Sequence, residues 1–137
     1  MNQYHHPPLS SASNNIRLMR LLPDRNPTAE IRCELYEYPL QDPSARSHLY
    51  EALSYVWSDP KEKLPIVING CQFGVTTNLH AALLHLWNHF MERTLWIDAI
   101  CISQENQEEK EKQIGFMAVV FSLANHVCCL AWGGRGR

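Results

Sequence analysis

At 137 residues the chain has room for one domain with a proper core and not for two. An apolar fraction of 45% and a charged fraction of 19% exclude a wholly disordered chain, and a net charge of −2 gives no electrostatic case for nucleic acid or anionic membrane. No apolar run approaches the roughly 18 residues that cross a bilayer, and Met1–Pro8 lacks the apolar core of a signal peptide. A cytoplasmic protein with neither nucleic-acid nor membrane partners is expected.

In chain order, residues 1–15 are rich in Pro, Ser, Asn and His, and read as a disordered leader. Ile16–Leu22 is a short apolar strand stopped by Pro23. Ile31–Tyr38 alternates, with Ile31, Cys33 and Leu35 on one face, and predicts a half-exposed strand that pairs with the first as an antiparallel ribbon. Pro39–His48 is a loop, and Ala52–Trp57 is a compact strand ended by the turn signal Ser58-Asp59-Pro60.

Ile66–Ile68, Asn69-Gly70 and Gln72–Thr76 predict a hairpin, because Asn-Gly suits a type I′ turn. Thr77 or Asn78 caps the next helix, whose Leu79, Ala82, Leu83, Leu86 and Phe90 form one apolar stripe. The run Thr94–Ile102 is apolar on both faces apart from Asp98, as a central parallel strand requires. A carboxylate near the carboxyl end of such a strand lies where open α/β sheets hold ligands.

A second helix follows. Asn106 and Glu109 have capping-box spacing, Glu108, Glu109 and Glu111 suit the positive helix end, and Ile114, Met117, Phe121 and Ala124 form the stripe. Val127–Trp132 is a last apolar strand before a 133–137 Gly/Arg tail. The five cysteines, Cys33, Cys71, Cys101, Cys128 and Cys129, are odd in number and lack C-x-x-C spacing, so reduced thiols are expected.

Several segments in this order carry a resemblance: Tyr50–Pro60 with "ALSYVW", Ile68–Gly70, Val75–Leu79, Leu95–Gln104 with "LWIDAICI", then Glu109-Lys110, Gln113 and Met117. Together they resemble the heterokaryon incompatibility (HET) domain of filamentous fungi, over residues 16–132 with the core at 50–130. The family is distantly similar to TIR domains. The resemblance implies an α/β fold, a flavodoxin/TIR-like, mainly parallel sheet flanked by helices. To this is added the N-terminal antiparallel β ribbon, in a domain incomplete at its C-terminus.

It further implies a signalling or effector module in non-self recognition and programmed cell death. Such a module acts through assembly, with copies of itself or with other incompatibility or NTPase-type proteins. The TIR analogy implies an alternative, an NAD⁺ glycohydrolase or the remnant of one; no cofactor is expected otherwise. Ser58 and Ser103 depart from the family pattern, which usually has Gly and Asn there. Gly admits a positive φ that Ser disfavours, so the loop after the first matched strand is altered.

The residues singled out are Tyr55, Trp57, Asp59, Trp96, Asp98, Gln104, Glu109 and Gln113. Asp98 leads, with Asp59 and Gln104 facing one crevice if the strand ends converge, against a plain role capping backbone N–H groups. Tyr55, Trp57 and Trp96 read as core or sheet-face residues before a stacking platform. Glu109 and Gln113 share a helix face and either contact the Asp98 loop or solvate the helix start. His85 and His89 have i,i+4 spacing with His80 on another flank, which is a polar helix side before a metal site. Cys101 has no evident base to activate it.

Overall fold

The computed structural model describes residues 2–9, 15–40, 48–55 and 62–130; for 48, 54, 55, 126 and 128–130 it describes backbone only. Within them β1 is Asn15–Leu21, β2 Arg32–Pro39, β3 His48–Tyr55, β4 Lys63–Ile68 and β5 Cys71–Thr76. Helix α1 (Thr77–Leu86), β6 (Arg93–Trp96), α2 (Asp98–Cys101), α3 (Gln107–Ile114), α4 (Met117–Leu123) and β7 (Ala124–Leu130) follow.

The strands form one seven-stranded sheet in the order β5-β4-β2-β1-β6-β3-β7. The strands expected at 52–57, 94–102 and 127–132 correspond to β3, β6 and β7, and β6, β3 and β7 are parallel neighbours. The sheet as a whole is mixed. β2–β4, β3–β6 and β3–β7 are parallel, whereas β1–β2, β1–β6 and β4–β5 are antiparallel. The expectation of a mainly parallel sheet is corrected on this point, because the β1–β2 ribbon is inserted at the middle rather than added at an edge.

That position explains β1. A strand flanked on both sides and covered on both faces should be apolar throughout, and Ile16, Leu18, Met19 and Leu21 are all buried. The half-exposed alternation expected for β2 is observed. In register, Ala52 aligns with Trp96 and Glu51 with Leu95, while Met19 aligns with Leu95. Trp96 and Ala52 therefore share one face, where Phe121 of α4 meets Trp96 edge-on at 5.5 Å and the Tyr50 hydroxyl donates to Val120 O. Leu95, Met19 and Arg17 lie on the other, where Arg17 reaches α2 and α3.

The hairpin at Asn69-Gly70 forms as its dipeptide demands, with φ of 49° and 80°, both in the left-handed region. The Asn69 side chain also accepts from Leu35 N at 3.0 Å and donates to Leu35 O at 3.3 Å, continuing the β2–β4 contact by side chain. Helix α1 is capped by Thr76, whose hydroxyl accepts from Leu79 N, one residue before the position expected. Leu79, Ala82, Leu83 and Leu86 are buried, but the helix ends at Leu86 and Phe90 is 74% exposed, lying against Arg25.

Two further expectations are corrected. The strand expected over 94–102 stops at Trp96, and α2 begins at Asp98. The second helix is two, α3 and α4, separated at Gly115-Phe116; the break turns Ile114 outward, 52% exposed, and buries Gln113 and Val120 instead. The last residue of its expected stripe, Ala124, opens β7.

The expected leader is also ordered over residues 2–9. Tyr4 N donates to Gln72 O at 2.8 Å and Gln72 N to Asn2 O at 2.7 Å, a parallel bridge on the outer edge of β5. Tyr4 is buried, so this polar segment has something to bury after all.

Candidate functional site

Asp98 sits just beyond the carboxyl end of β6, as the first residue of α2. It is half-buried; burial raises its pKa, opposed only by N–H groups of Ala99 and Asp98 itself. Gln104 is brought back to it: its Nε2 donates to Asp98 O and Ile102 O, both at 3.1 Å. Of the predicted crevice, Asp98 and Gln104 are thus adjacent, while Asp59 and Trp57 lie outside the described residues, as does the Tyr55 side chain at the end of β3.

Glu109 contacts the Asp98 loop and is held by a partner that the sequence did not suggest. Its carboxylate accepts from Arg17 Nη1 at 2.5 Å and Nη2 at 2.8 Å, and from Ser103 N at 2.9 Å. Arg17 also donates to Cys101 O at 3.1 Å and Pro7 O at 2.6 Å. The planar guanidinium fork thereby joins β1, α2, α3 and the N-terminal segment. Burial pushes the Glu109 carboxyl up, but Arg17 and the Ser103 N–H outweigh it, and its pKa is lowered.

The expected Asn106 cap is present, Oδ1 accepting from Glu109 N at 3.1 Å, but Glu109 spends its side chain on Arg17 rather than closing a capping box. Gln113 Nε2 donates to Asn15 O at 3.1 Å, and its Oε1, like Trp96 Nε1, is buried without a hydrogen-bond partner among the described residues. Trp96 is fully buried and packs in the core. Cys101 is buried and its thiol is pushed up to about 12 by desolvation, unsuited to forming thiolate.

The histidine spacing does not survive the fold: α1 ends before His89, which turns aside to bond Asp24 O at 2.8 Å through Nδ1. Another histidine, His6, is placed near the site. Its Nε2 is 2.7 Å from Ile100 O, and desolvation lowers its pKa.

Beside this loop lies a cleft of about 250 Å³. Gln3, Tyr4 and His6 of the N-terminal segment form one wall, Lys63 and Phe73–Thr76 a second, and Ala99, Gln104 and Glu105 a third. Asp98 is outside the lining; only its neighbour Ala99 reaches it. Tyr4, His6 and Phe73 stand mutually edge-on, with centroids 5.1 to 6.2 Å apart. Arg17, Tyr4 and His6 are absent from the sequence-derived set. The one signal for Arg17 was a charge inside an apolar strand, and that signal matters only once the strand is known to be central.

The model of the family described as heterokaryon incompatibility protein (HET) matches residues 50–136. The chain is also similar to heterokaryon incompatibility protein 6, OR allele, of Neurospora crassa, at 35% identity over 92% of this chain. It spans about a fifth of that relative, 20% of its length. No solved structure matches the chain. The motif residues Leu95–Gln104 supply the end of β6 and all of α2, the elements that build the loop described above, and with the match beginning at Tyr50 they place the chain in the heterokaryon incompatibility (HET) family.

Proposed function

We propose that this chain is an effector module of an incompatibility system, one that promotes programmed cell death in non-self recognition by assembling with copies of itself or with other incompatibility or NTPase-type proteins. The observation that carries this reading is the 35% identity to an incompatibility protein along 92% of the chain. Exposed apolar side chains support the assembly step: Leu49 on β3, Ile114 and Val119 on the helices, and Val127 on β7, the last described strand of the sheet. Such surface, together with the edge that β7 forms among the described strands, favours association. The proposed location is the cytoplasm; among the described residues no helix is long and apolar enough to cross a membrane.

Inducible expression in a filamentous fungus tests it. Compartment death, read by uptake of a vital dye, is expected above that of an inert protein at equal abundance. Equal survival would sink the reading.

A TIR-like NAD⁺ glycohydrolase is the second reading, and Asp98 is the observation in its favour, because a desolvated carboxylate with a raised pKa suits acid–base work or charge stabilisation. Incubation of the purified chain with NAD⁺ tests it. Nicotinamide release that Asp98→Asn removes would support it, and no release would end it.

A further inference from the structure

The N-terminal segment is seated on the domain in the way a separate peptide would be. Its backbone adds one parallel bridge to the edge of β5, through Tyr4 N to Gln72 O and Gln72 N to Asn2 O. The Tyr4 side chain then fills a pocket, 7% exposed, against Phe73. Two residues further on, His6 reaches across the cleft to Ile100 O, and His5 lies 3.5 Å from Glu105. Strand addition with alternate side chains entering pockets is a standard mode of peptide recognition, in which main-chain bonds give affinity and the pockets give specificity.

We propose that the β5 edge and its cleft accept residues 2–6 of a second copy of this chain, in exchange for the copy's own segment. The inference rests on the assembly reading above and names the contact by which copies would join. The occupant is fixed by what the groove already holds: an extended Gln-Tyr-His-His stretch whose ring, imidazole and backbone groups each meet a partner. The same contacts form between molecules as within one, so exchange costs little contact energy, and it is an economical route to a dimer. The segment is held by a short set of contacts. Its described anchors are the two bridge bonds, the Tyr4 ring, the His6 and Pro7 contacts and an exposed His5–Glu105 pair. An exposed pair of this kind contributes little.

The test uses a fluorescein-labelled peptide of residues 1–9 and the full chain carrying Tyr4→Ala, which keeps the backbone and the Pro7–Arg17 bond but vacates the anchor pocket. Fluorescence anisotropy should show the peptide binding this variant at least about tenfold more tightly than wild type, whose own segment competes at high effective concentration. Adding Phe73→Ala to the variant, or Tyr4→Ala to the peptide, should abolish binding. Equal binding to both chains, or binding that ignores both ring deletions, overturns the proposal. Light scattering separates this from the assembly reading. If wild type self-associates and Tyr4→Ala does so equally, exchange is wrong and assembly stands. If the peptide binds as expected but wild type stays monomeric at high concentration, exchange between copies and the assembly reading both fall.

Discussion

The Arg17 guanidinium and the Glu109 carboxylate form a two-pronged ion pair across 92 residues of sequence, with 4% and 9% of their side chains exposed. Every other donor or acceptor they meet, Cys101 O, Pro7 O and Ser103 N, belongs to a segment around the Asp98 loop or the N-terminus. The pair therefore fixes how α2 and α3 sit on β1.

Removing one partner of a buried pair strands the other charge, at a cost of about 3 kcal/mol or more. Glu109→Ala is expected to lose that amount in urea unfolding followed by tryptophan fluorescence. The double variant Arg17→Met/Glu109→Leu should lose less than Glu109→Ala alone, since no charge is left unpaired. A double variant that is worse than the single would contradict this account.

The pair and His6 also set the acid response. Glu109 has a folded pKa below its ordinary 4.5, so its contribution is full above that value and is lost as pH falls from 4.5 through the folded pKa. His6, kept neutral by burial, has a folded pKa below 6.5; its contribution is full above 6.5 and declines as pH falls below it. His80 is shifted in the same direction by burial, so a difference measurement is needed. His6→Gln should flatten the stability–pH curve just below pH 6.5, and Glu109→Gln the part below 4.5. Unchanged slopes would refute both assignments.

At the β4–β5 turn, Asn69 supplies a positive φ and two hydrogen bonds to Leu35. Asn69→Ala should cost about 2 kcal/mol, from left-handed strain plus the lost bonds to β2. Asn69→Gly, which relieves the strain but also loses the bonds, should cost less. Chemical denaturation of the two variants decides between strain and bonding as the larger part.

Asp98 makes the opposite prediction. Its pKa is raised, so burying the charge opposes folding; its stability contribution is full below pH 3.8 and is lost as pH rises through the folded pKa. Asp98→Asn should therefore raise the urea midpoint at pH 7 and converge with wild type in acid. A gain in stability accompanied by loss of the proposed cell-death activity would mark Asp98 as a residue retained for function against its folding cost.

Short-range signals were legible wherever the chemistry is local. Asn69-Gly70 fixed a hairpin because only residues tolerant of positive φ turn that tightly, and Asn106 marked a helix start because its amide can reach an N–H three residues on. The apolar run at 94–102 pointed to a central parallel strand, and β6 pairs in parallel with β3. The 94–102 run misled as to length, since an apolar strand followed by a buried helical turn has the same hydrophobic content as one long strand.

Local pattern by itself thus determined the β4–β5 turn and the start of α3, and placed the start of α1 to within one residue, because those depend on φ/ψ preference and on groups a few residues apart. It also held the motif that places the chain in its family. Only the tertiary structure decided that β1 is central, that Arg17 is buried against Glu109, and that Tyr4 and His6 wall the cleft. Each of these depends on contacts across about 70 to 95 residues, between groups whose neighbours in sequence carry no trace of the partner. A charge in a strand or a tyrosine near a terminus acquires meaning only from what the fold brings beside it.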